Sequence, residues 1–290
     1  MLRHSSVEQA IANCRCAVQS PRQCQAAWWS LVRFTLSIVL IGLALSVLAT
    51  PWVDLSWWKI FRRCASIAAA VSLWLCIKKF ERNSFHDYGF SVKGAGKRQL
   101  LLGLLLGAGM LASLFGPLLL LGSCRINVTP DHLKLWRTLL GFLPVALTIS
   151  VLEELVFRGY ILQNLLACSR TLAISISSGA YALVHLKAPE WTYLTALELG
   201  GLFLLGGVLA LSYLGTRKLY VAVGMHAALA YGARVNKLLF DFHDPTIAWL
   251  VGTSRLVNGI LGWVVLLIIG GIVVWWTRST QGGGACHEHS

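Results

Sequence analysis

Residues 151–160 read VLEELVFRGY and set three ionisable side chains, Glu153, Glu154 and Arg158, into an otherwise apolar run. Moving one charged side chain to the centre of a bilayer costs at least about 2.5–3.5 kcal/mol. Whether the run around these residues crosses a membrane therefore decides both the fold and the meaning of the charges.

Composition answers the first question. The 290 residues are 56% hydrophobic and 13% charged, with a mean hydropathy of +0.67. An ordinary soluble chain carries about 25% charged residues. The composition is that of an integral membrane protein. Apolar runs at 31–49, 64–77, 99–122, 138–166, 171–186, 194–214, 219–236 and 257–276 predict an all-α polytopic bundle of about eight spans, enclosing an intramembrane polar cavity. The expected organisation is an N-terminal arm (1–30), N-terminal membrane spans (31–135), a membrane core (136–276) and a C-terminal tail (277–290).

The net charge of +13 does not point to nucleic acid. The basic residues sit in short loops, where anionic headgroups and the positive-inside rule account for them. With the N-terminus inside, inner segments carry 14 Lys and Arg and outer segments 10, with Arg33 at a span edge completing the 25. Loop 78–98 alone carries six. The expectation is a multi-pass protein of a bacterial-type inner membrane with both termini cytoplasmic. No cleavable leader is expected, because the first apolar run begins only near Leu31, after Arg3, Arg15 and Arg22.

Of the eight cysteines, Cys64, Cys76, Cys124 and Cys168 lie in or beside apolar runs and read as small buried hydrophobes. Cys14, Cys16 and Cys24 sit in the polar arm and Cys286 in the tail. None shows the paired CxxC spacing of a zinc site. The arm and tail cysteines are expected to be reduced and non-catalytic, with weak metal capture as the alternative.

The fourth run is longer than a membrane needs: about 29 residues reach roughly 43 Å. Glu154 and Arg158 are four apart, share a helical face and can pair. Glu153 is turned about 100° away and is left free to act. Two histidines occupy comparable apolar settings, His185 in SSGAYALVHL and His226 in YVAVGMHAALAYG. A glutamate with two histidines can activate a water by general-base chemistry or hold a metal. Neither HExxH nor a GxSxG elbow is present.

At these residues the sequence resembles a known family. Glu153-Glu154-x-x-x-Arg158 is similar to the EExxxR motif of the CPBP family, also called Abi or type II CAAX prenyl endopeptidases. Tyr181-x-x-x-His185 resembles its FxxxH motif, with tyrosine for phenylalanine. His226 resembles the start of its HxxxN motif, but Ala230 stands where that family has asparagine. The resemblance covers roughly residues 136–235. It implies an intramembrane, glutamate-dependent endopeptidase acting on a membrane-embedded or lipidated protein or peptide. Glu153 would be the general base, Glu154 and Arg158 a supporting pair, and His185 and His226 would position the water or bind the oxyanion. Members are commonly labelled metalloproteases. A divalent metal such as zinc, with Glu153, His185 and His226 as candidate ligands, is therefore kept open. Two other readings stand beside it: a non-catalytic scaffold or immunity-type relative, which Ala230 favours, and a transporter, against which there is no inverted repeat.

Overall fold

The computed structural model describes residues 20–80, 85–90, 96–120, 122, 124–127, 131–186, 191–242, 247–253, 255 and 257–282. Cys14, Cys16 and Cys286 lie outside them.

The chain folds as a helical bundle. Among the described residues its longer helices are α1 (Pro21–Ala49), α2 (Trp57–Leu75), α3 (Gly96–Leu120), α4 (His132–Leu139), α5 (Phe142–Glu154), α6 (Arg170–Val184), α7 (Tyr193–Thr216), α8 (Tyr220–Leu239) and α9 (Ile260–Gly282). Residues Leu155–Leu162 continue α5 as a π-helix. Two three-residue strands, β1 (Cys124–Ile126) and β2 (Phe240–Phe242), pair antiparallel with Cys124 opposite Phe242 and tie the ends of α3 and α8 together. Helix α1 begins at Pro21, inside the stretch expected to be a polar arm, because Ser20 and Gln23 form a capping box around a proline at the first helical position.

Among the described residues, six helical segments are long and apolar enough to cross a membrane by length and composition: Pro21–Trp52, Trp57–Lys79, Gly96–Leu120, His132–Leu165, Tyr193–Thr216 and Ile260–Ser279. The two remaining expected spans are α6 and α8, the helices of His185 and His226. Helix α6 has 15 residues, about 22 Å of rise against a hydrocarbon core of about 30 Å. Helix α8 is long enough but carries His226, Arg234, Asn236 and Lys237. Trp29, Leu40, Leu105 and Leu267 are exposed on the outer helices, an apolar surface suited to lipid.

Helix α8 runs through the middle of the bundle. It meets α3 where both have glycine: a Cβ on Gly107 would lie 2.6 Å from that of Ala228, and one on Gly224 would lie 2.7 Å from the Leu104 nitrogen. Gly103 and Gly107 form the GxxxG spacing that lets membrane helices approach backbone to backbone. This contact holds His226 at the centre, 4% exposed. A second close approach joins α6 to α7, where a Cβ on Gly206 would sit 2.8 Å from the Cα of Ser178.

One expectation is corrected. Cys24 and Cys168 are not a reduced arm thiol and a buried hydrophobe; they form a disulfide, with Cα atoms 4.6 Å apart and 144 residues between them in sequence. Cys24 lies in the first turns of α1 and Cys168 just before α6, so two helix ends at one face are clipped together. Spacing rules detect local cysteine pairs and cannot see such a long-range one. Cys64, Cys76 and Cys124 are buried and lie outside this disulfide.

Candidate active site

Helix α5 delivers the carboxylates and then changes character. Its regular turns end at Glu154 and the wider π-helix takes over at Leu155. Such π segments recur at functional sites because they re-aim side chains. The expected uniform helix over 138–166 is instead α4, a break at Leu140–Gly141, α5 and the π-helix.

Arg158 lies within the π segment and still reaches back to Glu154. Its Nη1 donates to Glu154 Oε1 at 2.8 Å, and both side chains are fully buried. Its Nη2 donates to the Gly206 carbonyl at 3.1 Å. That carbonyl is accessible because Gly206, lacking a Cβ, lets α6 and α7 close up. The guanidinium also lies over the Tyr181 ring, 4.7 Å from its centroid. Neither Gly206 nor this stacking was legible in the motif.

Glu153 points the other way, into a space that is partly open. It is 30% exposed, and its Oε2 lies 3.5 Å from His185 Nε2 and 3.7 Å from His226 Nε2. The two histidines therefore converge on it. They do so although His185 is 15 residues beyond the start of α6 and His226 six beyond that of α8.

The other ring nitrogens fix the tautomers. His185 Nδ1 is 2.8 Å from the Tyr181 carbonyl oxygen. A carbonyl only accepts, so Nδ1 carries the proton. His226 Nδ1 is 2.7 Å from Glu154 Oε1, the same oxygen that accepts from Arg158 and so behaves as a carboxylate. Nδ1 is again the donor. A neutral ring therefore faces Glu153 through an Nε2 lone pair, whereas a protonated one would donate from the same atom. The Glu153 Oε2 atom has no hydrogen-bond partner among the described residues.

Two imidazole lone pairs and a carboxylate are donors of the kind zinc takes. Yet among the described residues no group of three or more His, Cys, Asp or Glu is placed to hold a metal ion.

Ala230 lies one turn beyond His226 on α8 and offers only a methyl group. Tyr181, noted in the sequence only as a departure from phenylalanine, projects into the site: its hydroxyl is 3.5 Å from His226 Nε2. An ion pair that sequence reasoning missed, Arg255 with Glu198, fastens the start of α7 to the segment before α9.

The five predicted side chains, Glu153, Glu154, Arg158, His185 and His226, thus form one cluster. A comparison with curated proteins found no match. Residues 135–231, which hold the whole cluster, match the family described as Rce1-like, the type II CAAX prenyl endopeptidase Rce1-like proteins. The likeness read from the three motifs therefore has a matching family description over this third of the chain, within a multi-pass membrane protein.

Proposed function

We propose that the protein is an intramembrane endopeptidase that cuts a peptide bond near the terminus of a membrane-associated protein or peptide, prenylated chains included. The observation that carries this reading is the convergence of Glu153 Oε2 and two histidine Nε2 atoms within 3.5–3.7 Å. These acceptors around one point suit a water, which donates one O–H to Glu153 and the other to a histidine Nε2. Glu153 takes a proton as the water oxygen bonds to the scissile carbonyl carbon. The C–N bond then breaks, and Glu153 returns the proton to the departing amine. One histidine Nε2 accepts the water's second O–H and holds it in place. Glu154, neutralised by Arg158, fixes the His226 tautomer and ring angle.

The test is single-turnover cleavage of a membrane-embedded peptide by purified wild type and Glu153→Gln. Cleavage that survives in Glu153→Gln removes Glu153 as the base. The non-catalytic scaffold reading has one observation in its favour, the methyl group of Ala230, and predicts no cleavage by either protein.

For placement, we propose an inner membrane with both termini on one face. The lysine and arginine count assigns that face to the cytoplasm. The Cys24–Cys168 disulfide lies on the same face and favours an oxidising compartment instead. Labelling of these cysteines, described below, separates the two.

A further inference from the structure

A tetrahedral intermediate at Glu153 needs hydrogen-bond donors for its oxyanion, and the groups nearest to it are poor ones. Both histidines have committed their N–H groups, to the Tyr181 carbonyl and to Glu154. In the neutral rings their Nε2 atoms are acceptors. Ala230 has nothing to donate. The donor within reach is the Tyr181 hydroxyl, 3.5 Å from His226 Nε2, the same atom that lies 3.7 Å from Glu153 Oε2.

We infer that Tyr181 is the oxyanion donor of this site, an inference that rests on the endopeptidase reading above. Its ring is held before any substrate binds. It is 2% exposed, packed edge-on against Phe157 at 5.3 Å, set 4.4 Å from the His185 ring and covered by the Arg158 guanidinium. A donor fixed in advance is what oxyanion stabilisation requires, since nothing need reorganise as charge develops. The bond to His226 Nε2 at rest is long, so the hydroxyl gives up little in turning to an anionic acceptor.

The step balances. Water oxygen bonds to the carbonyl carbon, its proton passes to Glu153, and the C=O π pair moves to the carbonyl oxygen. Tyr181 donates a hydrogen bond to that oxygen and keeps its proton. On collapse the electron pair returns, the C–N bond breaks and Glu153 protonates the amine.

Two departures from the family motifs then offset each other. The hydroxyl at 181 supplies the donor that the methyl group at 230 lacks, and does so from α6 rather than α8. Ser150 is the competing candidate, a fully buried hydroxyl with no partner among the described residues. It lies a full turn from Glu154 toward the start of α5, whereas the Tyr181 hydroxyl lies 3.5 Å from His226 Nε2.

The experiment compares wild type, Tyr181→Phe, Tyr181→Phe/Ala230→Asn, Ser150→Ala and Glu153→Gln in detergent. It measures single-turnover cleavage of a membrane peptide and binding of that peptide's phosphonate analogue, whose tetrahedral oxygens mimic the intermediate. Tyr181→Phe is expected to lower the rate constant about 10²–10³-fold and to weaken phosphonate binding, leaving peptide affinity unchanged. Adding Ala230→Asn is expected to restore much of the rate by placing a donor on the other helix. A purely structural role for Tyr181 would weaken peptide and phosphonate binding together, without rescue. Full activity in Tyr181→Phe, or a loss confined to Ser150→Ala, overturns the assignment. Undiminished cleavage by Glu153→Gln overturns the endopeptidase mechanism itself, which distinguishes the two failures.

Discussion

Replacing Arg158 by methionine removes a charge while keeping most of the apolar bulk. Three contacts go together: the 2.8 Å bond to Glu154, the 3.1 Å bond to the Gly206 carbonyl and the stacking 4.7 Å above Tyr181. The larger effect falls on what stays behind. Glu154 is fully buried, and breaking a buried pair by deleting one partner costs about 3–5 kcal/mol, because the surviving charge is uncompensated. The lost cation–π contact adds up to about 2 kcal/mol in a desolvated setting. Against a typical total of about 5–15 kcal/mol, this is a large fraction. Arg158→Met should therefore accumulate poorly and melt far below wild type in detergent. The double variant Glu154→Gln/Arg158→Met carries no buried charge and should recover much of that stability. It should remain inactive, since a glutamine no longer secures the His226 tautomer. The assay is a thermal melt of each purified variant, alongside cleavage. An Arg158→Met protein that melts within a degree or two of wild type refutes the reasoning. So does a double variant less stable than the single one.

Gly206→Val should separate α6 from α7, since even a Cβ would meet the Ser178 backbone at 2.8 Å. Overpacking of this kind costs about 1–3 kcal/mol, and here activity should fall further than stability, because His185 and Tyr181 ride on α6. Gly107→Leu should act likewise on α3 and α8, read by a lower melting temperature. Reduction followed by a membrane-impermeant maleimide should modify Cys24 and Cys168 from one side of sealed vesicles, and that side gives the orientation. Cys124 should stay unmodified in the same experiment: it is 2% exposed, and burial, followed by the nearby Asp241 charge, pushes its thiol pKa up, so the reactive thiolate is scarce at neutral pH. Prolonged dialysis against EDTA should leave cleavage unchanged; a loss restored by zinc would assign Glu153, His185 and His226 to a metal.

The sequence by itself determined that this chain is a membrane bundle, because hydropathy is a sum over local residues and needs no knowledge of contacts. It also determined that Arg158 pairs with Glu154, since four-residue spacing brings side chains together within one helix, and the π segment does not undo this. It marked Glu153, His185 and His226 as polar groups out of place in oil. Only the tertiary structure decided that those three face one another. Their separation in sequence is long, and counting residues from the loops would set the two histidines at different depths. The disulfide between Cys24 and Cys168 is a pairing of the same long-range kind. The tautomers were beyond the sequence for a related reason: the proton position on each imidazole is set by a carbonyl and a carboxylate that meet it only after packing. Tyr181 makes the point most sharply. In the sequence it is a slightly imperfect motif residue, and only its approach to His226 turns its extra oxygen into the donor that Ala230 cannot be.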